Sequence, residues 1–274
     1  MIDFRIMAPP KTIRNGTLGK RELRLVEKDG TYFGLADGKI CVEGDDADDV
    51  WRRLHDESGK SDPDYFGYSG ARNRFLKFFP NGFHSDGYAL QERDYKVAAK
   101  QKLDTSAPLE ASANGTGFGE AILSAYRSTN LLSPFEKTRL QAVLRGPRAD
   151  RFVSAAAKFT LAPSESALHD LSTILKPDDC AKWTVVTYLP FLWQPDKHIF
   201  LKPEVTKDYA TRVGHPFASI YTPSLDFNVY ASLLDLRQRT EMELADLKPR
   251  DGIDIQSFIW IVGDYREGRE AVYE

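Results

Sequence analysis

The stretch 182–202, KWTVVTYLPFLWQPDKHIFLK, constrains the fold more than any other part of the chain. A segment this long and this apolar has to be buried. Trp183, Val185, Val186, Tyr188, Leu189, Phe191, Leu192 and Trp193 lead into Gln194-Pro195-Asp196-Lys197, where Pro195 presets the φ of a turn and Asp196 follows comfortably. The apolar run is nearly continuous and rich in strand formers. That pattern predicts a β-hairpin whose first arm is buried on both faces and whose second arm is residues 198–201.

Around this core element the chain divides into two expected parts. Residues 1–20, with Pro9, Pro10, Gly16 and Gly19, read as an extended arm. Polar and apolar residues then alternate over 22–27, Asp29-Gly30 is a two-residue hairpin signal, residues 32–36 form a second strand, Asp37-Gly38 a second turn, and residues 39–43 a third strand. An acidic loop with Asp45, Asp46, Asp48 and Asp49 precedes a helix over 50–57, and carboxylates there suit the positive end of the helix dipole. The β-β-β-α order of residues 21–57 resembles the small sheet-and-helix modules with which some recombinases and plant transcription factors grip a DNA groove. The resemblance rests on element order and implies DNA contact. The acidic loop opposes phosphate, and a plain structural meander stands as the other reading.

The rest reads as mostly helical. Helices are expected over 71–79, 88–103, 119–128, 134–145, 148–160 and 165–175, with Pro134 and Pro163 at starts and Gly146-Pro147 at a stop. After the hairpin come a helix from Pro203 to Gly214, a short strand over 217–221, a long helix over 225–247 and a final apolar helix around Ile255, Phe258, Ile259 and Val262. The expected fold class is therefore α+β. A three-stranded antiparallel meander plus helix in a module of residues 1–60 is followed by a helical domain, 61–274, that contains the buried hairpin.

Composition narrows the function classes. The formal net charge is −3, so any basic binding surface has to be local. Cys41 and Cys180 match no disulfide or zinc pattern, which points to a reducing compartment, and no apolar run is long enough for a signal peptide or a membrane helix. These features predict a protein of a bacterial cytoplasm without a membrane partner.

Residues 61–88 and the helix after them interleave aromatic rings with cations. Arg72, Arg74, Lys77, Arg93, Lys96 and Lys100 are candidates for phosphate, since arginine grips two oxygens at once; Tyr65, Tyr68 and Tyr88 are candidates for stacking on unpaired bases, Tyr68 foremost. The bland alternative makes Phe75, Phe78 and Phe79 core and Glu92–Lys96 an ordinary i, i+4 pair. The expected function is nucleic-acid binding, DNA or RNA, without cofactor or metal. A scaffold or accessory subunit for a protein partner is the alternative, with Trp193, Tyr221, Phe227 and Tyr230 as an aromatic patch and the charged turn 248–254 as an edge. A third reading is a Mg²⁺-dependent nuclease, because Pro63-Asp64 and Asp94-Tyr95-Lys96 resemble the PD-(D/E)xK pattern. His169, His198 and His215 match no zinc spacing.

Overall fold

The computed structural model describes residues 10–18, 20–59 and 67–265. Four strands, β1 (Lys11–Leu18), β2 (Arg21–Lys28), β3 (Thr31–Ala36) and β4 (Lys39–Gly44), form one antiparallel sheet in the order β1-β2-β3-β4. Both central turns are built as Asp-Gly demands. Asp29 and Gly30 have φ of 53° and 81°, Asp37 and Gly38 50° and 77°, the double left-handed geometry of a tight hairpin. The meander therefore exists, with one strand more than expected. β1 occupies what reads as an extended arm. It is an edge strand whose side chains are mostly polar and of which only Leu18 is buried, so it carries no apolar face to announce it.

Helix α1 (Ala47–Gly59) covers one face of this sheet. Leu23, Leu25, Ala36 and Val42 from the strands pack on Val50, Trp51 and Leu54. The approach is close at Gly34, where an added Cβ would stand 2.6 Å from Val42 Cγ2 and 3.2 Å from Leu54 Cβ. The sheet and α1 belong to a compact unit made of residues up to Arg74 together with Tyr209–Pro216. The sequence alone places this boundary near residue 60.

The second unit comprises Phe75–Asp208 and Phe217–Glu274, and its regular elements among the described residues are all helices. In chain order the remaining helices are α2 (Gly67–Phe78), α3 (Asp94–Ser106), α4 (Leu109–Asn114), α5 (Gly119–Arg127), α6 (Pro134–Arg145), α7 (Ala149–Leu161), α8 (Glu165–Leu175), α9 (Trp183–Trp193), α10 (Pro203–Arg212), α11 (Phe217–Ile220), α12 (Phe227–Glu243) and α13 (Gly252–Asp264). A π-helical turn, Ala89–Arg93, leads into α3. Local sequence explains several starts: Ser133 and Glu136 form a reciprocal capping box with Pro134 in the first turn of α6, and Ser164 caps α8. The segregated sheet and helices make this an α+β protein.

Residues 182–202 are not a hairpin. The apolar arm is α9, and residues 198–202 run on without joining a sheet. A helix that is apolar all round is a core helix, and every residue of α9 but Thr184 is buried. It packs on α3 and α7. Its polar atoms are all met inside the protein: Thr187 Oγ1 donates to Trp183 O (2.6 Å) and accepts from Leu201 N (3.0 Å), and Trp193 Nε1 donates to Ala107 O (2.9 Å). Eleven residues fit a helix better than a strand, and Pro190 would interrupt a central strand. The turn itself is as expected, with Lys197 N and His198 N each donating to Gln194 O at 3.0 Å. The strand expected over 217–221 is likewise absent, and Phe217–Ile220 form helix α11. Among the described residues no helix is long and apolar enough to cross a membrane.

Candidate functional site

The sequence-predicted cations part company in the structure. Arg72, Arg74 and Lys77 lie on α2. At about 100° per residue, Arg74 and Lys77 share one side of that helix and Arg72 projects from another. Tyr68 is 3% exposed, its ring edge against Tyr209 with centroids 6.4 Å apart, so no open face remains for a base. Tyr88 is fully buried. Lys100 donates to Asp104 Oδ2 at 2.7 Å and lies 3.4 Å from Trp193 O.

Arg93 and Lys96 point inward, where a network of ion pairs joins the π-helical turn to α13. Arg93 grips Asp251 with both terminal nitrogens (2.8 and 2.7 Å) and also donates to Asp254 Oδ1 (2.8 Å). Asp254 is fully buried and completely satisfied: Tyr88 Oη donates at 2.7 Å, and Arg250 donates from its backbone N (2.8 Å) and its Nε (2.9 Å). Lys96, also fully buried, donates to Glu92 Oε2 (3.2 Å) and Ser257 Oγ (2.8 Å), and Tyr265 donates to the other oxygen of Glu92. Three acids, Glu92, Asp251 and Asp254, thus face three bases, Arg93, Lys96 and Arg250, and the cluster is formally neutral. Cations already committed to buried carboxylates are not available to phosphate, which is why these two candidates do not form the expected surface.

Burial raises the carboxyl pKa of Asp251, but the Arg93 hydrogen bonds and charge and the Ile253 and Asp254 amides outweigh it, so the net displacement is downward. Burial pulls the Lys96 ammonium below its ordinary value, and Glu92 restores it only in part. Arg93 is held above its ordinary value because its carboxylate partners outweigh its own desolvation.

Local sequence builds this arrangement. Asp251 caps α13, accepting from Ile253 N (2.9 Å) and Asp254 N (3.4 Å), so the same carboxylate starts the helix and holds Arg93. Gly252 brings the helix start against residues 195–198: its N donates to Pro195 O at 2.8 Å, and an added Cβ would stand 2.3 Å from His198 O. The π-helical turn carries Glu92 and Arg93 in succession, both directed at α13 or its flank. Such turns occur frequently at functional sites.

Beside this network lies a recess of about 80 Å³, walled by Glu92, Tyr95, Lys96, Lys202, Gln256 and Trp260 among others. Lys202 sits with its Nζ 5.4 Å from the Trp260 ring centroid and 3.5 Å from Leu131 O. Among the described residues it makes no ion pair; Glu136, held by Ser133 and Thr184, feels its charge from beyond that range. Gln256 is 5% exposed, and its Oε1 has no protein partner. Sequence reasoning missed Lys202, Gln256 and Trp260. The available signal was Gln256-Ser257, two polar residues inside the apolar run of α13, where each needs either a partner or a purpose.

The other expected sites find less. The glycine-rich break 114–119 borders an open depression of about 600 Å³ whose charged walls are two acids, Asp150 and Asp170, and two bases, Arg151 and Lys158, with no net field. Trp193 and Tyr230, expected in an aromatic patch, are core. The charged turn 248–254 makes one local bridge and a cap and supplies the two acids that hold Arg93. Pro63-Asp64, Tyr65 and Phe66 lie outside the described residues; Asp94 starts α3, and its neighbour in the motif, Lys96, is engaged by Glu92. Among the described residues no three His, Cys, Asp or Glu side chains gather as a metal ion would require. His198 is buried between Tyr230 Oη (2.7 Å) and Thr160 O (3.0 Å), a structural setting. No protein-family model, curated protein or solved structure matches the chain.

Proposed function

We propose that the chain is a non-catalytic binding protein that takes a small anionic ligand in the recess beside Lys202. The carrying observation is a charge imbalance. Within the recess wall Glu92 and Lys96 cancel, while Lys202 faces the same space with no acid in ion-pair range among the described residues. A partly buried ammonium next to an indole face, in surroundings drier than water, attracts an anion more strongly than an exposed lysine does. A hydrogen bond to a charged group in such a place contributes about 1.5–3 kcal/mol, or ten- to a hundredfold in affinity.

Nucleic-acid binding through the six predicted cations has less to support it, because Arg93, Lys96 and Lys100 already have carboxylate partners within the protein. Such binding would weaken steeply as salt rises, since each neutralised phosphate releases counterions. A small ligand in a recess would show a far shallower dependence.

Isothermal titration of the full chain with sodium phosphate, acetate and glycolate tests the proposal. At least one probe is expected to bind, and Lys202→Met to weaken it at least about tenfold. Equal affinity in the variant, or no heat from any probe, would overturn the reading.

A further inference from the structure

We infer that the sheet face turned away from α1 docks a second copy of this chain. The contact lies in the first unit and is independent of the recess. Leu23, Leu25, Ala36 and Val42 pack on α1, so the residues beside them in each strand face the other way. Cross-strand pairing sets these outward residues in two adjacent rows. Arg24, Leu35 and Ile40 stand side by side in one row, and Val26, Phe33 and Glu43 in the next. An antiparallel sheet with one face in water turns polar residues outward. Here the middle of the outward face is apolar. Ile40 is 63% exposed, Phe33 and Leu35 are half-buried, and Val26 is buried. A contiguous apolar patch rimmed by charge marks a protein contact.

The charges at its corners select the partner. Arg24 ends one row and Glu43 ends the other, diagonally across the patch. Arg24 Nε donates to Thr12 Oγ1 on the same face at 2.9 Å, and among the described residues neither Arg24 nor the Glu43 side chain is in an ion pair. A two-fold axis lying in the contact plane, between the charged corners, turns the second copy over. Each Arg24 then stands above the other copy's Glu43. Leu35 and Ile40 meet their own counterparts, and so do Val26 and Phe33. A patch that matches itself in this way is what a two-fold contact requires, and opposite charges at opposite corners fix its register. Size sets the strength. Four strands of six to eight residues, spaced about 4.8 Å apart with a rise of about 3.3 Å per residue, offer about 400–500 Å². Two such faces bury about 800–1,000 Å², less than the roughly 1,600 Å² of a standard interface, so the dimer is weak and depends on concentration.

Sedimentation velocity of the full chain, from low to high micromolar concentration, tests this. The mass is expected to rise from 30.9 kDa toward twice that value. Ile40→Asp should weaken association at least about tenfold, because it puts a carboxylate into the apolar centre. Arg24→Glu and Glu43→Arg should each weaken it by about as much, since each sets like charges face to face twice. Mixed together, the two charge variants should pair with each other, because both contacts then join opposite signs. The double variant Arg24→Glu/Glu43→Arg should pair with itself for the same reason. A monomer at every concentration would overturn the inference, whether water or a different protein takes the face. A dimer indifferent to Ile40→Asp would place the contact elsewhere and overturn it as well. So would charge variants that fail to rescue one another. If circular dichroism shows that Ile40→Asp does not fold, the mixing of the two charge variants decides the matter alone.

Discussion

Both units set charged side chains against one another, but at different depths and over different sequence distances. In the first unit α1 carries local pairs: Arg52 and Arg53 reach back three and four residues to Asp49, whose side chain is 40% exposed. In the second unit Arg93 crosses 158 residues to Asp251 and 161 to Asp254, and Asp254 has no exposure at all. Local exposed pairs decorate a helix that its apolar face already holds. A buried network fixes which turn meets which helix, because each member left alone would be a charge without water. The first kind is nearly dispensable; the second is close to obligatory once its members are inside.

The sharpest way to break this contrast is to remove one acid from each unit. Asp254→Ala leaves Arg250 and Tyr88 without their carboxylate and Arg93 with Asp251 alone, so unfolding is expected to become easier by about 3–5 kcal/mol. Asp49→Ala should cost about 1 kcal/mol or less. Denaturant midpoints of the two variants measure the difference. Comparable losses would mean that the network is no more than a surface feature drawn inward.

Acid provides the next largest effect. Burial pulls His198 down from its ordinary 6.5 to about 4, and lowers His55, in the first unit, as well. In both cases the unfolded chain accepts a proton that the folded protein refuses. The stability that this supports is complete above pH 6.5 and is lost as pH falls toward the folded value. For His198 the span of 6.5 to about 4 corresponds to at most about 3 kcal/mol at 1.36 kcal/mol per unit. His198→Gln should start from lower stability and show a flatter decline between those limits. A slope unchanged from the native protein would mean that His198 is not the group that acid finds.

What was legible in the sequence follows from the range of the forces involved. Asp29-Gly30 and Asp37-Gly38 set two hairpins through their own backbone preferences, and Pro134 with Ser133 and Glu136 set the start of α6; both are matters of a few adjacent residues. The α+β class was readable for the same reason. The 182–202 segment was misread because a run buried on all sides has lost its periodicity, and only length and Pro190 argue for α9. β1 was missed because an edge strand needs no apolar face. The candidate site was least visible of all. Glu92–Lys96 reads as an ordinary i, i+4 pair and Arg250–Asp254 as a turn bridge; that the two join through Arg93, and that Lys202 stands outside their balance, depends on contacts more than a hundred residues long.

Packing offers a smaller test within the first unit. Gly34→Ala places a methyl 2.6 Å from Val42 Cγ2 and 3.2 Å from Leu54 Cβ, where the sheet meets α1. Overpacking of this kind costs about 1–3 kcal/mol. The loss should exceed that of Asp49→Ala in the same thermal or denaturant series, which would place the cohesion of the first unit in its apolar contact and leave its ion pairs secondary.

The smallest expected effect discriminates best, because salt acts on the two kinds of pair unequally. At about 1 M salt the screening length falls to about 3 Å, comparable with the spacing of an exposed ion pair. The Asp49→Ala deficit should then shrink toward zero, since Asp49 and its arginines are wetted from one side. The Asp254→Ala deficit should persist, because mobile ions do not enter the space between Asp254, Arg93 and Arg250. Measuring both variants against the native chain at low and high salt cancels the general effect of salt on folding. A deficit for Asp254→Ala that vanished with that of Asp49→Ala would show that the network is reached by solvent, and the neutral wall from which Lys202 stands out would lose its basis.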